Sequence, residues 1–120
     1  MKHHPANPAP LARIWRTPYS RADHDETLTA NAAYTDPVLA GIVDQGFNAI
    51  WVHGLLRGSV PSRVFPGLAP QAADHIRNMR ELIARAARHS IDVYVYLQPP
   101  RGLPVGDPFW TRHPDAGGRT

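Results

Sequence analysis

Four polar side chains stand at positions where the chain could hold a small polar ligand. His53 ends the apolar segment "FNAIWVH", and Arg57 follows it in the next loop. Gln98 ends a second apolar segment, "IDVYVYLQ", and Arg101 follows that one. A histidine can bind a hydroxyl group or transfer a proton, and an arginine can hold carboxylates or hydroxyl groups with forked hydrogen bonds. The alternatives are a hydrogen bond to a neighbouring strand for His53 and loop-anchoring salt bridges for the two arginines.

Two aromatic residues near the end of the sequence also have two interpretations. Phe109 and Trp110 lie in "GDPFWTRHP", where they could stack on a sugar ring or pin a loop to the core. Trp51, inside the first apolar segment, is expected to belong to the core.

The elements that position these residues alternate between strand and helix. We predict strands at 13–17, 47–53 and 91–98, with helices between them. Asp36 is the expected N-cap of the first helix, Pro37 its first residue, and Gly46 the left-handed residue that ends it. A polar segment, 20–34, and the long segment 54–69 are predicted to be loops, and loops as long as the second are often functional.

The second helix is predicted to begin at Pro70 and to bury one face. Its apolar residues recur at three- and four-residue steps, namely Ile76, Met79, Ile83 and Ala86, with Leu82 alongside. On its solvated face the spacing predicts the ion pairs Arg77–Glu81 and Glu81–Arg85.

This order of elements predicts an α/β fold. Each helix returns the chain to a new parallel strand, which gives a right-handed βαβαβ run. Because a complete barrel takes about 250 residues, we expect the βαβαβ portion of a TIM (β/α)8 barrel, incomplete in this chain. Residues 1–12 are predicted to be a disordered lead, and residues 13–120 the N-terminal part of the truncated barrel. Ligands of such folds bind beyond the carboxyl ends of the strands, where His53 and Gln98 are expected.

Composition argues against several classes of protein. The chain has 120 residues, a formal charge of +3 and no cysteine, which excludes disulfides and thiolate metal sites. Its basic residues are dispersed, so nothing indicates nucleic-acid binding, and no apolar run reaches the roughly 20 residues of a membrane helix. No histidine spacing suggests a metal site, and no glycine-rich phosphate motif suggests a nucleotide cofactor. Composition leaves the compartment and the oligomeric state open.

The acidic residues supply no evident catalytic pair. Glycosidases use two carboxylates that flank the bond they cut. Asp36 is assigned to a helix cap, and Asp74 and Glu81 lie on a helix. The polar loop contains Asp23, Asp25 and Glu26.

Residues 34–102 resemble the early barrel of the family 20 glycoside hydrolases, the β-hexosaminidases, and related glycosidase-like barrels. The resemblance is carried by "GFNAIWVHG", by "VFPGLAP", by the helix "IRNMRELIARAARHSI" and by "DVYVYLQPPRG". His53 matches the strand-end histidine of the family's H-x-x-D pattern, whereas Leu56 stands where the family has aspartate. "QPPRG" replaces an acidic turn that ends in Gly-His. These departures favour a divergent relative.

The resemblance implies a glycoside hydrolase that cleaves O-glycosidic bonds without a cofactor. Together with the strand-end positions of the candidate residues, it leads us to expect carbohydrate held by His53, Arg57, Gln98 and Arg101. The family's catalytic aspartate–glutamate pair belongs to a later strand, so the catalytic acids are expected beyond residue 120, and the chain alone is expected to be inactive and only marginally stable. Two alternatives stay open: a non-catalytic carbohydrate-binding or scaffold barrel, and a small self-contained α/β binding domain.

Overall fold

A computed structural model describes residues 11–18, 20–21, 23–98 and 103–117. Residues 1–10 of the expected lead, and the candidate ligand residue Arg101, lie outside the described residues. The elements run in the order β1 Ile14–Arg16, α1 Ala30–Ala33, α2 Asp36–Asp44, β2 Ala49–Leu55, α3 Leu56–Ser59, α4 Ala72–Arg88, β3 Asp92–Gln98 and α5 Pro108–Arg112, followed by a 3-10 turn at Pro114–Ala116.

The three strands form one parallel sheet in the order β1-β2-β3. β1 pairs with the start of β2, with Trp15 opposite Ile50. β2 and β3 pair along their whole length, from Ala49 opposite Asp92 to Leu55 opposite Gln98. The predicted mixed α/β class with parallel strands is therefore confirmed.

The hydrophobic core lies on one face of this sheet, under α2 and α4. Ile50 and Val52 of β2 point to this face and are fully buried, because strand side chains alternate between the two faces. They pack with buried residues from the two helices and the segments beside them, chiefly Leu39, Ile42, Met79, Leu82, Ala86 and Ile91, and with the half-buried Trp15 and Val93. Burying such aliphatic side chains contributes roughly 1.5 to 3 kcal/mol each.

The opposite face, which we call the open face, carries Arg16, Trp51, His53, Tyr94 and Tyr96. The register sets them side by side, with Trp51 opposite Tyr94 and His53 opposite Tyr96. Both tyrosines expose 47% of their surface, whereas His53 exposes only 4%. The open face is thus uncovered in its middle and covered near His53.

Helix α2, the first helix predicted from the sequence, begins one residue before its predicted start at Pro37. Thr35 occupies the N-cap position, and Asp36 is the first helical residue. The Asp36 carboxylate instead accepts a hydrogen bond of 2.7 Å from Nε2 of His89, which joins the beginning of α2 to the end of α4. Gly46 adopts a φ of 90°, as predicted for the residue that ends this helix.

Helix α4, the second helix predicted from the sequence, begins at Ala72 rather than Pro70. The face that it buries also differs from the predicted one. Its buried stripe is Ala72, His75, Met79, Leu82 and Ala86. Ile76 and Ile83 are instead about half exposed. Two overlapping series of three- and four-residue steps exist in this helix, and the one that includes Leu82 packs against the sheet.

The two predicted ion pairs on α4 are not formed, because each side chain has a different partner. Arg77 pairs with Asp74 at 2.8 Å. Glu81 accepts a hydrogen bond from Asn31, and Arg85 donates to the main-chain oxygens of Asn31 and Tyr34. Main-chain carbonyl acceptors on α1 and directly after it replace a surface ion pair, which solvent screens and which contributes little to stability.

Both segments predicted to be loops contain short helices. α1 lies within the polar segment 20–34, and α3 opens the long segment after β2. Further along that segment, Phe65 packs edge-on against Phe109 of α5, with 5.1 Å between ring centres. Phe109 exposes 7% of its surface, so it pins this loop. None of the helices in the described part of the chain has the length and apolar character that a bilayer crossing requires.

Candidate functional site

The open face presents a connected row of aromatic rings. The guanidinium of Arg16 lies 4.4 Å from the centre of the Trp51 ring, a cation–π contact. Trp51 meets Tyr96 edge-to-face at 5.7 Å, and the Tyr96 ring lies 5.4 Å from the His53 ring. Trp51 was expected in the core and is instead half-buried in this row. The row combines flat apolar surface, one cation and an imidazole.

The structure brings together two of the four predicted ligand residues. His53 lies two residues before the end of β2, and Gln98 is the last residue of β3, so both belong to the same face at neighbouring register positions. Arg57 lies on α3, a segment that contacts α4 and β2, and it does not belong to the strand row. Arg101 lies outside the described residues.

Glu26 fastens the loop after β1 to the end of β2. Its Oε2 accepts a hydrogen bond of 2.7 Å from the amide of His53 and one of 3.2 Å from the Ser20 hydroxyl. The Glu26 amide in turn donates to the His53 carbonyl at 2.8 Å. β1 ends at Arg16, opposite Trp51, so Glu26 supplies pairing that a longer β1 would otherwise give. A buried amide needs such a partner, and Glu26 thereby fixes the backbone that carries the His53 ring.

Three further side chains, Asp25, Thr27 and His75, form a buried group that we call the loop cluster. The Thr27 hydroxyl lies 2.5 Å from Oδ1 of Asp25 and 2.6 Å from Nδ1 of His75. Oδ1 of Asp25 also accepts from the Thr27 amide, and its Oδ2 lies 3.7 Å from Nδ1 of His75. The cluster ties the loop after β1 to α4.

The single proton of the Thr27 hydroxyl fixes the direction of these bonds. An ionised Asp25 carboxylate only accepts, so Thr27 donates to Asp25 and must accept from His75. The imidazole of His75 therefore carries a proton on Nδ1. Thr27 exposes 2% of its surface, which keeps the hydroxyl away from any substrate. The acid, hydroxyl and imidazole together hold the loop after β1 against α4.

Glycines allow the surrounding backbone to approach these groups closely. A Cβ on Gly54 would lie 2.9 Å from the Thr27 methyl group, and one on Gly58 would lie 2.6 Å from Oδ2 of Asp25. Both distances are shorter than van der Waals contact, so a side chain at either position would force its neighbours to shift. In the described ranges, no group of three or more histidine and acidic side chains converges as a metal site would require.

The sequence interpretation assigned Asp23, Asp25 and Glu26 to a polar loop. They do lie in the loop and turns before α1, but the sequence did not indicate that Glu26 is buried. Glu26 exposes only 8% of its surface. Two signals could have located these residues. The segment "HDET" follows the carboxyl end of a strand in the same way as the segment after His53 does, and His75 falls on the stripe of α4 that includes Leu82.

Comparison of the chain with protein-family models, with curated proteins and with solved structures finds no match.

Proposed function

We propose that residues 13–120 form the N-terminal βαβαβ part of a TIM (β/α)8 barrel of the glycoside-hydrolase type, and that this part holds a carbohydrate substrate. The observation that supports the proposal best is the half-exposed aromatic row on one face of a parallel sheet, with His53 and Gln98 toward its carboxyl end. Parallel α/β folds bind their ligands at that end.

The chemistry of the row suits a sugar. The C–H face of a pyranose ring can stack on a tyrosine ring, whose π face carries partial negative charge. Tyr94 and Tyr96 each leave about half of their surface exposed for such a contact. Trp51, held by Arg16 on one side and Tyr96 on the other, supports a stiff platform. Convergent polar groups beside an aromatic surface then orient the hydroxyl groups of the ligand.

The proposed reaction is hydrolysis of an O-glycosidic bond by two carboxylates outside this chain. Such carboxylates stand roughly 5 to 9.5 Å apart across the scissile bond. Asp25 bonds to Thr27, and Glu26 holds the end of β2, so both acids next to the row are engaged in holding the loop. We therefore assign the catalytic acids to strands beyond residue 120.

The test of carbohydrate binding is an NMR titration of the 120-residue chain with β-linked disaccharides of glucose and of N-acetylglucosamine. We expect saturable shifts at residues 94–98 with at least one of them. Tyr96→Ala should weaken that binding between about twofold and tenfold, the range for one aromatic contact. Ile83→Ala, a change at a similarly exposed residue on the far side of α4, should leave it unaltered.

Two results would contradict the proposal in different ways. If none of the disaccharides binds, or if both variants bind equally well, the open face is not the carbohydrate site. If the purified chain hydrolyses chromogenic aryl glycosides with turnover, the catalytic acids lie within these 120 residues.

A further inference from the structure

A pocket of about 440 Å³ lies on the other side of the sheet from the open face, beside β1. Its walls are mostly apolar and come from β1, α1 and α2, with Trp15, Ala30, Ala33, Tyr34 and Val38 among the lining residues. Trp15 points to the helix-covered face because it pairs with Ile50. The pocket is therefore separate from the proposed carbohydrate site.

Among the described residues that line this pocket, Glu26 is the only acid, and the other polar ones are Thr17, His24, Thr29 and Tyr34. Glu26 lines it, and the hydrogen bonds described for its carboxylate come from an amide and a hydroxyl, which are both neutral. No ion pair involves Glu26 among the residues that the structure describes. A carboxylate that is this deeply buried is stabilised by a cation, which would here have to come from a ligand.

Tyr34 supplies a second polar group without a partner. It exposes 6% of its surface, and its hydroxyl is buried with no hydrogen bond in the described part of the chain. Burial, together with the nearby Glu26 carboxylate, raises the pKa of Tyr34 to about 12. At neutral pH the phenol is therefore uncharged, and its oxygen can accept a hydrogen bond. Native proteins rarely leave such a buried group unpaired.

We propose that this pocket binds a small protonated amine with an aromatic or branched aliphatic body, with Glu26 as the counter-ion. The ammonium donates to the Glu26 carboxylate and to the Tyr34 oxygen, while the body packs against Trp15, Ala33 and Val38. An ammonium complements both groups, because the Tyr34 hydroxyl has no hydrogen-bond partner and the Glu26 carboxylate has no paired cation among the described residues. A carboxylate ligand would be repelled by Glu26, and a neutral ligand would leave its charge uncompensated.

The test is an NMR titration of the chain with three compounds of one shape: 2-phenylethylamine, 2-phenylethanol and phenylacetate. We expect the amine to shift the amide signals of Ala30, Ala33 and Val38 saturably. The alcohol should bind about tenfold more weakly or worse, because a charge-assisted hydrogen bond is lost. The acid should not bind. Added salt should weaken the amine and leave the alcohol unaltered.

Three variants separate the contributions. Glu26→Gln keeps an acceptor for the His53 amide and should lower amine affinity by about tenfold while removing the preference over the alcohol. Tyr34→Phe should lower amine affinity several-fold. Ala33→Phe changes an exposed helical residue and fills the pocket without touching either polar group, so it should abolish binding of both compounds.

Several outcomes would overturn the proposal: equal affinity for amine and alcohol, a Glu26→Gln variant that binds the amine normally, or shifts confined to Tyr94 and Tyr96 of the open face. If Glu26→Gln fails to fold, Ala33→Phe still decides the matter, since amine binding that survives a filled pocket places the site elsewhere.

Discussion

Replacing Thr27 by valine would test whether the loop cluster holds the loop after β1 in place. Valine has nearly the shape of threonine, so the substitution removes the hydroxyl without opening a cavity. It leaves Asp25 with one hydrogen bond fewer, and it leaves the Nδ1 proton of His75 without its acceptor at 2.6 Å. Thr27 and His75 are both buried, so water cannot readily replace the lost partner.

The expected cost follows from the two bonds that disappear. A hydrogen bond to a charged group contributes roughly 1.5 to 3 kcal/mol, and a buried donor left unpaired costs roughly 1 to 3 kcal/mol. Oδ2 of Asp25, at 3.7 Å from Nδ1 of His75, can move closer and recover part of the second cost. We therefore predict that Thr27→Val lowers the free energy of unfolding by about 3 kcal/mol.

The matched control is Thr27→Ser, which keeps the hydroxyl and removes only the methyl group. Deleting one buried methyl costs about 1 kcal/mol. Urea denaturation followed by far-UV circular dichroism measures both variants. With a slope of about 1.5 kcal/mol per molar, the midpoint should fall by about 2 M for valine and by less than 1 M for serine. Equal losses for the two variants would refute the reasoning, as would ¹⁵N NMR signals that place the His75 proton on Nε2 alone.

Three further outcomes are expected from close contacts and from shifted pKa values. Gly58→Ala should lower the melting temperature, because its Cβ would lie 2.6 Å from a carboxylate oxygen of the loop cluster, whereas Gly41→Ala meets nothing within 4 Å and should stabilise α2 by roughly 0.5 to 1 kcal/mol. Burial, reinforced by the neighbouring Glu26 carboxylate, raises the pKa of Tyr34 to about 12. The stability that this group contributes is therefore present below pH 10, and the free energy of unfolding should fall by up to about 2 kcal/mol as the pH rises toward 12. In urea titrations, Tyr34→Phe should remove that part of the fall. The hydrogen bond from His89 lowers the pKa of Asp36 below its ordinary 3.8. The stability that the ionised Asp36 carboxylate contributes is therefore present above pH 3.8 and is lost as the pH falls further. A His89→Ala variant whose melting temperature showed the same acid dependence as the parent would contradict this.

Local signals predicted the three strands and the two longer helices, but not the short helices α1, α3 and α5. Asp36-Pro37 and Gly46 bracket α2 to within two residues, because proline and a left-handed glycine restrict the backbone whatever surrounds them. The alternation in residues 91–98 likewise matched β3. These signals depend on neighbours in the chain, which the sequence displays directly.

Tertiary contacts account for most of what the sequence did not indicate. The Arg85 side chain extends to main-chain oxygens on α1 and beside it, more than 50 residues away in the chain, and no helical spacing predicts that choice. Glu26 is similar: the His53 amide bonds to its carboxylate because β1 ends at Arg16, opposite Trp51, and does not continue alongside His53. The candidate site could be located at the strand ends from the sequence, but the acid that holds its backbone could not.

Because the His53 amide donates to the Glu26 carboxylate, its hydrogen-exchange rate reports on local opening of the loop after β1. Neighbouring amides of β2 are protected from hydrogen exchange by ladder bonds, which break only when strands separate. The His53 amide is protected by a side chain on the preceding loop, so it becomes exchangeable whenever that loop lifts, with the sheet still intact. Its exchange rate therefore measures how often the backbone behind the candidate ligand face becomes accessible to solvent, independently of global unfolding.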